Sequence, residues 1–325
     1  MSLFSGAGGL DLGFQKDKYE IVFAVDVDKS AVETHRKAFP KTHCIQADLV
    51  NLGVDGLVSE IDKVLVPGER IGVIGGPPCQ GFSRSNSNSS ADDPRNKLPA
   101  LYLDIVKALK TKYTVDFLIF ENVLGIEDKK HASTFSAIKE TLGTLGFHKS
   151  IAEYDAFNFG VPQHRQRVII AGFASKQACE SFKPTAQIKG KQTVREAIEH
   201  LPEPSYCAHG RKVVDGFHPN HWTMQPKSPR FAHPELFKED GRSFRRLSWD
   251  KPSPTVAYGH REIHIHPDGK RRLSVYEAMQ LQGFPKNYEL CGTFSAQVQQ
   301  VSNAVPPPLA YALAVAVEDS LKAVH

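Results

Sequence analysis

The chain has 325 residues, 41% of them hydrophobic and 23% charged, which is the composition of a globular protein and not of a fibrous or disordered one. No run of 18 or more apolar residues occurs, so no transmembrane helix is expected, and the N-terminus lacks the basic and then apolar pattern of a secretion signal. The net charge of +4 is unevenly placed: residues 173–264 hold 15 Lys+Arg against 10 Asp+Glu, while the remainder holds 25 against 26. A basic segment beside a neutral remainder points to a polyanionic partner, although modest imbalances also arise on ordinary solvated surfaces.

In chain order, a glycine run (Phe4-Ser5-Gly6-Ala7-Gly8-Gly9-Leu10) leads into a short helical stretch ending at Phe14. Ile21 to Val25, Ile71 to Ile74, Phe117 to Phe120 and Val168 to Ala171 read as buried strands. Between them, Lys29 to Phe39, Leu98 to Leu109 and Ser133 to Leu145 carry helical periodicity. This alternation predicts an α/β fold with a doubly wound, mainly parallel sheet. After Phe173 the pattern breaks into a stretch rich in Pro, His and basic residues, read as a smaller irregular domain over 173–264. Regular structure returns at Leu273 to Gln282, and Pro308 to Leu321 sets Leu309, Leu313, Val317 and Leu321 down one helical face. That last helix is expected to pack on the sheet, so the larger domain comprises 1–172 and 265–325.

In a sheet of this kind ligands bind beyond the carboxyl ends of the strands, and the informative motifs fall there. Glycines between a strand and a helix let a ligand approach the backbone and the helix N-terminus. Asp26 follows Gly6 by 20 residues, where an acid holds ribose hydroxyls, and Asp48 follows a further short apolar stretch. The glycine spacing is not G-x-G-x-x-G, which favours a nucleoside cofactor without a pyrophosphate over a dinucleotide. A tight turn and two helix caps would use the same residues.

The Ile71 to Ile74 strand runs into Gly75-Gly76-Pro77-Pro78-Cys79-Gln80-Gly81-Phe82-Ser83, presenting a thiol on a loop stiffened by proline. A lone cysteine is more often a buried structural one, but the polar, serine-rich sequel, with five serines between Ser83 and Ser90, argues against burial. The following loop, to Asn96, suits a lid. Glu121 stands at the end of the next strand, where desolvation would favour its protonated, hydrogen-bond-donating form. Arg165 and Arg167 alternate along an extended segment and share one face, suited to orienting Glu121, a base or a phosphate. The five cysteines (Cys44, Cys79, Cys179, Cys207 and Cys291) are odd in number and form no C-x-x-C pair, so a reducing, cytoplasmic setting is expected.

Taken in order, these phrases resemble the DNA (cytosine-5) methyltransferase family of bacterial restriction–modification systems. The likeness rests on Phe4-Ser5-Gly6-Ala7-Gly8-Gly9, Pro77-Pro78-Cys79-Gln80, Glu121-Asn122-Val123 and Gln163-His164-Arg165-Gln166-Arg167. It resumes at Arg272-Leu273-Ser274, at Gln282-Gly283-Phe284-Pro285, and at Gln300-Val301-Ser302-Asn303-Ala304-Val305-Pro306-Pro307. The resemblance covers 3–172 and about 250–315. It implies a Rossmann-like catalytic domain with S-adenosyl-L-methionine as cofactor, and it makes 173–264 the target-recognition domain. Phe4 would stack on the cofactor's adenine, with Gly6 and Gly9 close to it, Asp26 on the ribose and Asp48 on the adenine amino group. Ala7, Val27, Leu49, Pro78, Leu98, Asn303 and Ala304 would complete the pocket. Cys79 would attack the base and Glu121 engage its edge; Arg165 would support both, with Gln163 and Arg167 beside it. Ser83, Ser85 and Thr255 would touch DNA, and no metal is expected.

Three departures stand out. The first strand is expected to be short, or the natural start to lie upstream; Ser302 replaces a usual Gly; and Asp26 replaces a commoner Glu. The reaction so implied is methylation of carbon 5 of a cytosine in a specific double-stranded sequence, through base flipping and a covalent Cys79–carbon 6 adduct. The partner would be duplex DNA, met by a cytoplasmic, nucleoid-associated monomer that shares its site with a cognate endonuclease. An RNA (tRNA) cytosine methyltransferase is a rival, disfavoured because such relatives usually follow Pro-Pro-Cys with Phe-Thr. A catalytically silent DNA-binding relative should lack one of Cys79, Glu121 and Arg165. A zinc module on Cys207, His209, His218 and His221 has a spacing that matches no common finger.

Overall fold

The short apolar runs pair side by side into one sheet. The computed structural model describes residues 1–15, 19–78, 97–186, 192–207, 216–237, 245–255 and 264–324. Its strands are β1 (Ser2–Leu3), β2 (Phe23–Asp26), β3 (His43–Gln46), β4 (Arg70–Gly75), β5 (Thr114–Asn122), β6 (His148–Asp155) and β7 (Gln166–Phe173). They lie in the order β3-β2-β1-β4-β5-β7-β6. The first five are parallel; β7 runs antiparallel between β5 and β6. The expected mainly parallel α/β sheet is therefore present. The apolar runs of β4, β5 and β7 are almost wholly buried, as strands covered on both faces must be. The sequence reading passed over β6, an edge strand of mixed polarity and intermediate burial, because it lacks an apolar run.

Helices α1 (Gly9–Gln15), α2 (Lys29–Ala38), α3 (Leu49–Ile61), α4 (Leu98–Lys112) and α5 (Ala132–Thr144) connect these strands. Asp28 caps α2 by accepting from the backbone of Ala31, and Asp48 caps α3 through Val50. Leu57, Ile61, Val106, Leu109 and Leu142 of α3, α4 and α5 fill one face of the sheet. The other face is covered by α1 and α10 (Pro307–Lys322), where Leu309, Leu313 and Val317 are fully buried along the predicted stripe and Leu321 packs at its margin. The two ends of the chain thus share one layer.

Between them lie α6 (Lys176–Ser181), α7 (Val194–Ile198) and two pairs of very short parallel strands. These are β8 (Ser205–Cys207) with β9 (Trp222–Met224), and β10 (Arg245–Arg246) with β11 (His264–Ile265). Such brevity is what poor periodicity predicts. This stretch docks on α8 (Val275–Leu281) and α9 (Phe294–Asn303) through a third apolar cluster that joins Ile198, Trp222 and Leu247 to Met279, Leu281 and Val301. A capping box of Ser274 and Glu277 starts α8, and Arg271 pairs bidentately with the buried Glu277 at 2.9 Å on both oxygens.

Candidate active site

Five parallel strands end on one edge, and the predicted residues gather there because each follows a strand directly. β1 gives way to Phe4, which has φ 54°, a left-handed conformation unusual for a bulky residue. This half-buried aromatic packs against the core at the mouth of the glycine loop. At Gly6 (φ +53°) a side chain would meet no atom within 4 Å, so open space stands over the loop. The half-buried Asp26, ending β2, reaches back: its carboxylate accepts from the Gly6 backbone at 2.8 Å and from that of Asp28 at 2.9 Å. Burial holds the Asp26 carboxyl above its ordinary value, against those backbone hydrogen bonds and helped by the charge of Asp28.

Beyond β2 and in the first turn of α3, Val27 (61% exposed) and Val50 (59%) present apolar surface to the same edge. Asp48 is exposed; besides capping α3 it accepts from the Asn51 side chain at 3.0 Å. Leu49 and Leu98 are buried and Pro78 half-buried. Opposite, α9 ends on exposed Asn303, and buried Ala304 directly after it packs against Gly9. A side chain at Gly9 would lie 3.0 Å from the Ala304 Cβ and 2.5 Å from the Val305 carbonyl. Tyr288 donates from its hydroxyl to the Ala7 carbonyl and braces the loop from beneath. Open space over Gly6, an inward acid and flanking exposed valines together fit a nucleoside-bearing ligand such as S-adenosylmethionine.

The acceptor side is built from β4, β5 and β7. Glu121 at the end of β5 is 8% exposed. The sequence placed it in an apolar setting; the structure gives it a cation, with Arg167 Nε at 2.7 Å from Oε1. The backbone of Gly76 passes so close that a Cβ there would lie 2.5 Å from Glu121 Oε2. Asn122 donates from its side chain to the Pro77 carbonyl at 3.3 Å, tying β5 to the proline loop. Cys79, Ser83, Ser85 and the expected lid up to Asn96 lie outside the described residues.

Arg165 is 1% exposed and donates to the Ser302 carbonyl at 2.7 Å. Gln163 is fully buried, with its amide nitrogen 3.5 Å from the Gln282 side chain. Ser302, standing where the family usually has Gly, is helical. Thr255 donates to the His164 carbonyl at 2.8 Å, so the far edge of the middle stretch meets the arginine segment. His221, weighed as a zinc ligand, has its ring nitrogens at Ser274 Oγ (3.0 Å) and the Pro202 carbonyl (2.7 Å); His209 lies outside the described residues.

The sequence reading missed Gln282 and Asp155. Gln282 is fully buried and spans two carbonyls of the α9 end. Asp155 accepts from the Arg165 backbone at 3.0 Å and stands 2.9 Å from His164 Nδ1. Gln282 opens one of the quoted phrases, but nothing local gives its role; Asp155 ends an edge strand that has no apolar run to mark it.

A mainly parallel seven-stranded sheet with a glycine loop after β1 and an acid at the end of β2 is the S-adenosylmethionine-dependent methyltransferase fold. The family model described as C-5 cytosine-specific DNA methylase matches residues 1–319, and the chain belongs to that family: it is a DNA (cytosine-5) methyltransferase. Curated relatives include the Type II methyltransferase M1.HphI of Haemophilus parahaemolyticus, 34% identical, the match covering 98% of this chain and 86% of that one. M.MthTI of Methanothermobacter thermautotrophicus is 33% identical, with 99% and 98% covered. Among solved structures, a prophage-encoded protein of E. coli described as a DNA modification methyltransferase superposes with a TM-score of 0.79 at 23% identity, covering 99% and 98%.

Proposed function

We propose that the enzyme methylates carbon 5 of a cytosine within a specific double-stranded DNA sequence, with S-adenosylmethionine as donor, and serves a restriction–modification system beside a cognate endonuclease. The observation that carries this reading is the meeting, on one sheet edge, of an open glycine loop beside Asp26 and an Arg167-paired Glu121 beside the proline loop that leads to Cys79. The Type II methyltransferase relatives support the biological setting. A cytoplasmic place of work on chromosomal DNA accords with the free thiols of Cys44, Cys179, Cys207 and Cys291.

The cofactor supplies an electrophilic methyl group; the chain supplies the rest. The Cys79 thiolate adds to carbon 6 of the flipped cytosine, and the electron pair of the 5,6 double bond becomes available at carbon 5, where it would bond the methyl carbon as the methyl–sulfur bond breaks and leaves its electron pair on sulfur. Glu121, held by Arg167, would donate its carboxyl proton to the ring nitrogen as the thiolate adds, neutralising the negative charge that develops there, and would take it back when the adduct collapses. A base, for which a water molecule suffices, then takes the carbon 5 proton, and the electron pair of that C–H bond re-forms the 5,6 double bond as Cys79 leaves as a thiolate. Because the target carbons are stacked inside a duplex, the base must leave the helix. The basic 173–264 region is the part suited to hold the phosphates and read base edges.

The test is mass spectrometry of the protein incubated with S-adenosylmethionine and duplex DNA carrying 5-fluorocytosine, whose fluorine cannot depart as a proton. A covalent adduct that disappears in Cys79→Ala is expected. An adduct formed on substituted RNA but not on DNA would overturn the reading.

A further inference from the structure

Gln163, Arg165 and Arg167 alternate on extended backbone and share a face, yet their side chains engage different elements. Arg167 pairs with Glu121 at 2.7 Å. Arg165 instead meets the far end of α9, and Gln163 the end of α8. A helix leaves its last carbonyls without intrahelical partners, and here side chains from elsewhere supply donors. Val301 O and Ala304 O both accept from Gln282 Nε2, at 2.7 and 2.8 Å, and Ser302 O accepts from Arg165 Nη2 at 2.7 Å. Gln163 Nε2 stands 3.5 Å from Gln282 Oε1 and from the Leu281 carbonyl, backing the donor. All three side chains are buried. Burying a guanidinium is costly unless it is paired, and here the cation is spent in part on a neutral backbone carbonyl.

That carbonyl belongs to the last turn of α9, directly before Ala304 and Val305, which pack against Gly9. The backbone of the same arginine segment faces the other way. His164 N donates to Ser253 O at 2.8 Å, and Ser253 N donates to Pro162 O at 2.9 Å, joining it to the edge of the DNA-recognition region.

We infer that Arg165 and Gln282 are positioning residues for the cofactor: they clamp the C-terminal end of α9, and with it Ala304, against the glycine loop. The two arginines then divide their work, Arg165 serving the cofactor pocket and Arg167 serving Glu121. This rests on the reading that Asn303 and Ala304 wall the S-adenosylmethionine pocket. The segment 162–167 then touches the end of α9, the acceptor-site acid and the recognition region together.

The experiment measures S-adenosylmethionine binding by calorimetry without DNA, alongside hydrogen exchange at the 301–304 amides. Arg165→Met and Gln282→Met should each weaken binding about 10-fold or more, the scale of one buried charged or doubled hydrogen bond, and should speed exchange at 301–304. Arg165→Lys should recover part of the affinity, which also covers the case that Arg165→Met does not fold. Arg167→Met should leave affinity within about 2-fold and exchange at 301–304 unchanged, while slowing single-turnover methylation. Wild-type affinity and exchange in Arg165→Met and Gln282→Met, with only the chemical step slowed, would overturn the proposal. So would an equal loss of affinity in Arg167→Met. Failure of the wild type itself to bind S-adenosylmethionine would instead defeat the cofactor reading, and exchange at 301–304 would still decide whether the clamp exists.

Discussion

At the scale of single residues, the site separates holding from reacting. Asp26 spends its carboxylate on the Gly6 backbone and still lies half-open at the cofactor edge. Asp26→Asn keeps the shape but puts an amide where two backbone donors point, so it should weaken S-adenosylmethionine binding by roughly 10- to 100-fold, as lost charge-assisted hydrogen bonds do; calorimetry reads this directly. Glu121→Gln keeps a hydrogen-bonding group beside Arg167 but removes the carboxyl group that can pass a proton to and from the ring nitrogen. A fall in kcat of about 100-fold or more is expected, in the range of one lost acid–base or electrostatic contact, with S-adenosylmethionine affinity little changed. A variant with normal kcat would remove Glu121 from the chemistry.

Among the elements, α1, α2 and β1 are locked by a buried polar cluster that the reaction does not use. Asp11 accepts from Ser2 Oγ at 2.9 Å and stands 3.1 Å from His35 Nε2, with both Asp11 and His35 side chains fully buried. Burial lowers the His35 pKa, but hydrogen bonding and charge from Asp11 and Cys44 outweigh it and hold it up at about 9. A histidine whose folded value lies above its unfolded 6.5 stabilises fully below that value, and the stabilisation is lost as pH rises through 9. His264 has the opposite sense: burial, and then the charge of Arg245, push it down to about 4, so protonation of the unfolded chain costs stability as pH falls from 6.5 toward 4. Thermal melting should therefore peak near neutral pH. His35→Gln should flatten the alkaline limb between pH 7 and 9.5, and His264→Gln the acid one. A melting temperature flat across pH 4 to 10 would contradict both assignments.

Across the whole molecule, the chain ends build one layer against the sheet while the stretch between them, with its excess of basic residues, docks on α8 and α9. If 173–264 meets phosphates, DNA affinity must fall steeply with salt. Replacing the exposed Lys227 and Arg230 with Gln should reduce the slope of log affinity against log salt by about 1 to 2 and weaken cognate and unrelated DNA alike. A fluorescence anisotropy titration over several salt concentrations measures this, and an unchanged slope would take these two residues off the interface.

Much of this was legible in the amino-acid order itself. Apolar runs long enough to be buried on both faces announced β4, β5 and β7, and stripes at helical spacing announced α2, α4 and α10. The residues after each strand had to gather at one edge because parallel strands end together. Hence Phe4, Gly6, Asp26 and Glu121 could be placed from local pattern alone. Tertiary structure alone decided which partners they meet. The sequence offers both Arg165 and Arg167 to orient Glu121, but which of them reaches it is decided by the antiparallel β7, which brings Arg167. Gln282 and Ser302 lie in phrases the sequence already marks, but their roles are invisible there, because they fill and present carbonyls that only the packing of α8 and α9 leaves open. Periodicity reports which face of an element is buried; which donor reaches which acceptor depends on how distant elements are set against one another.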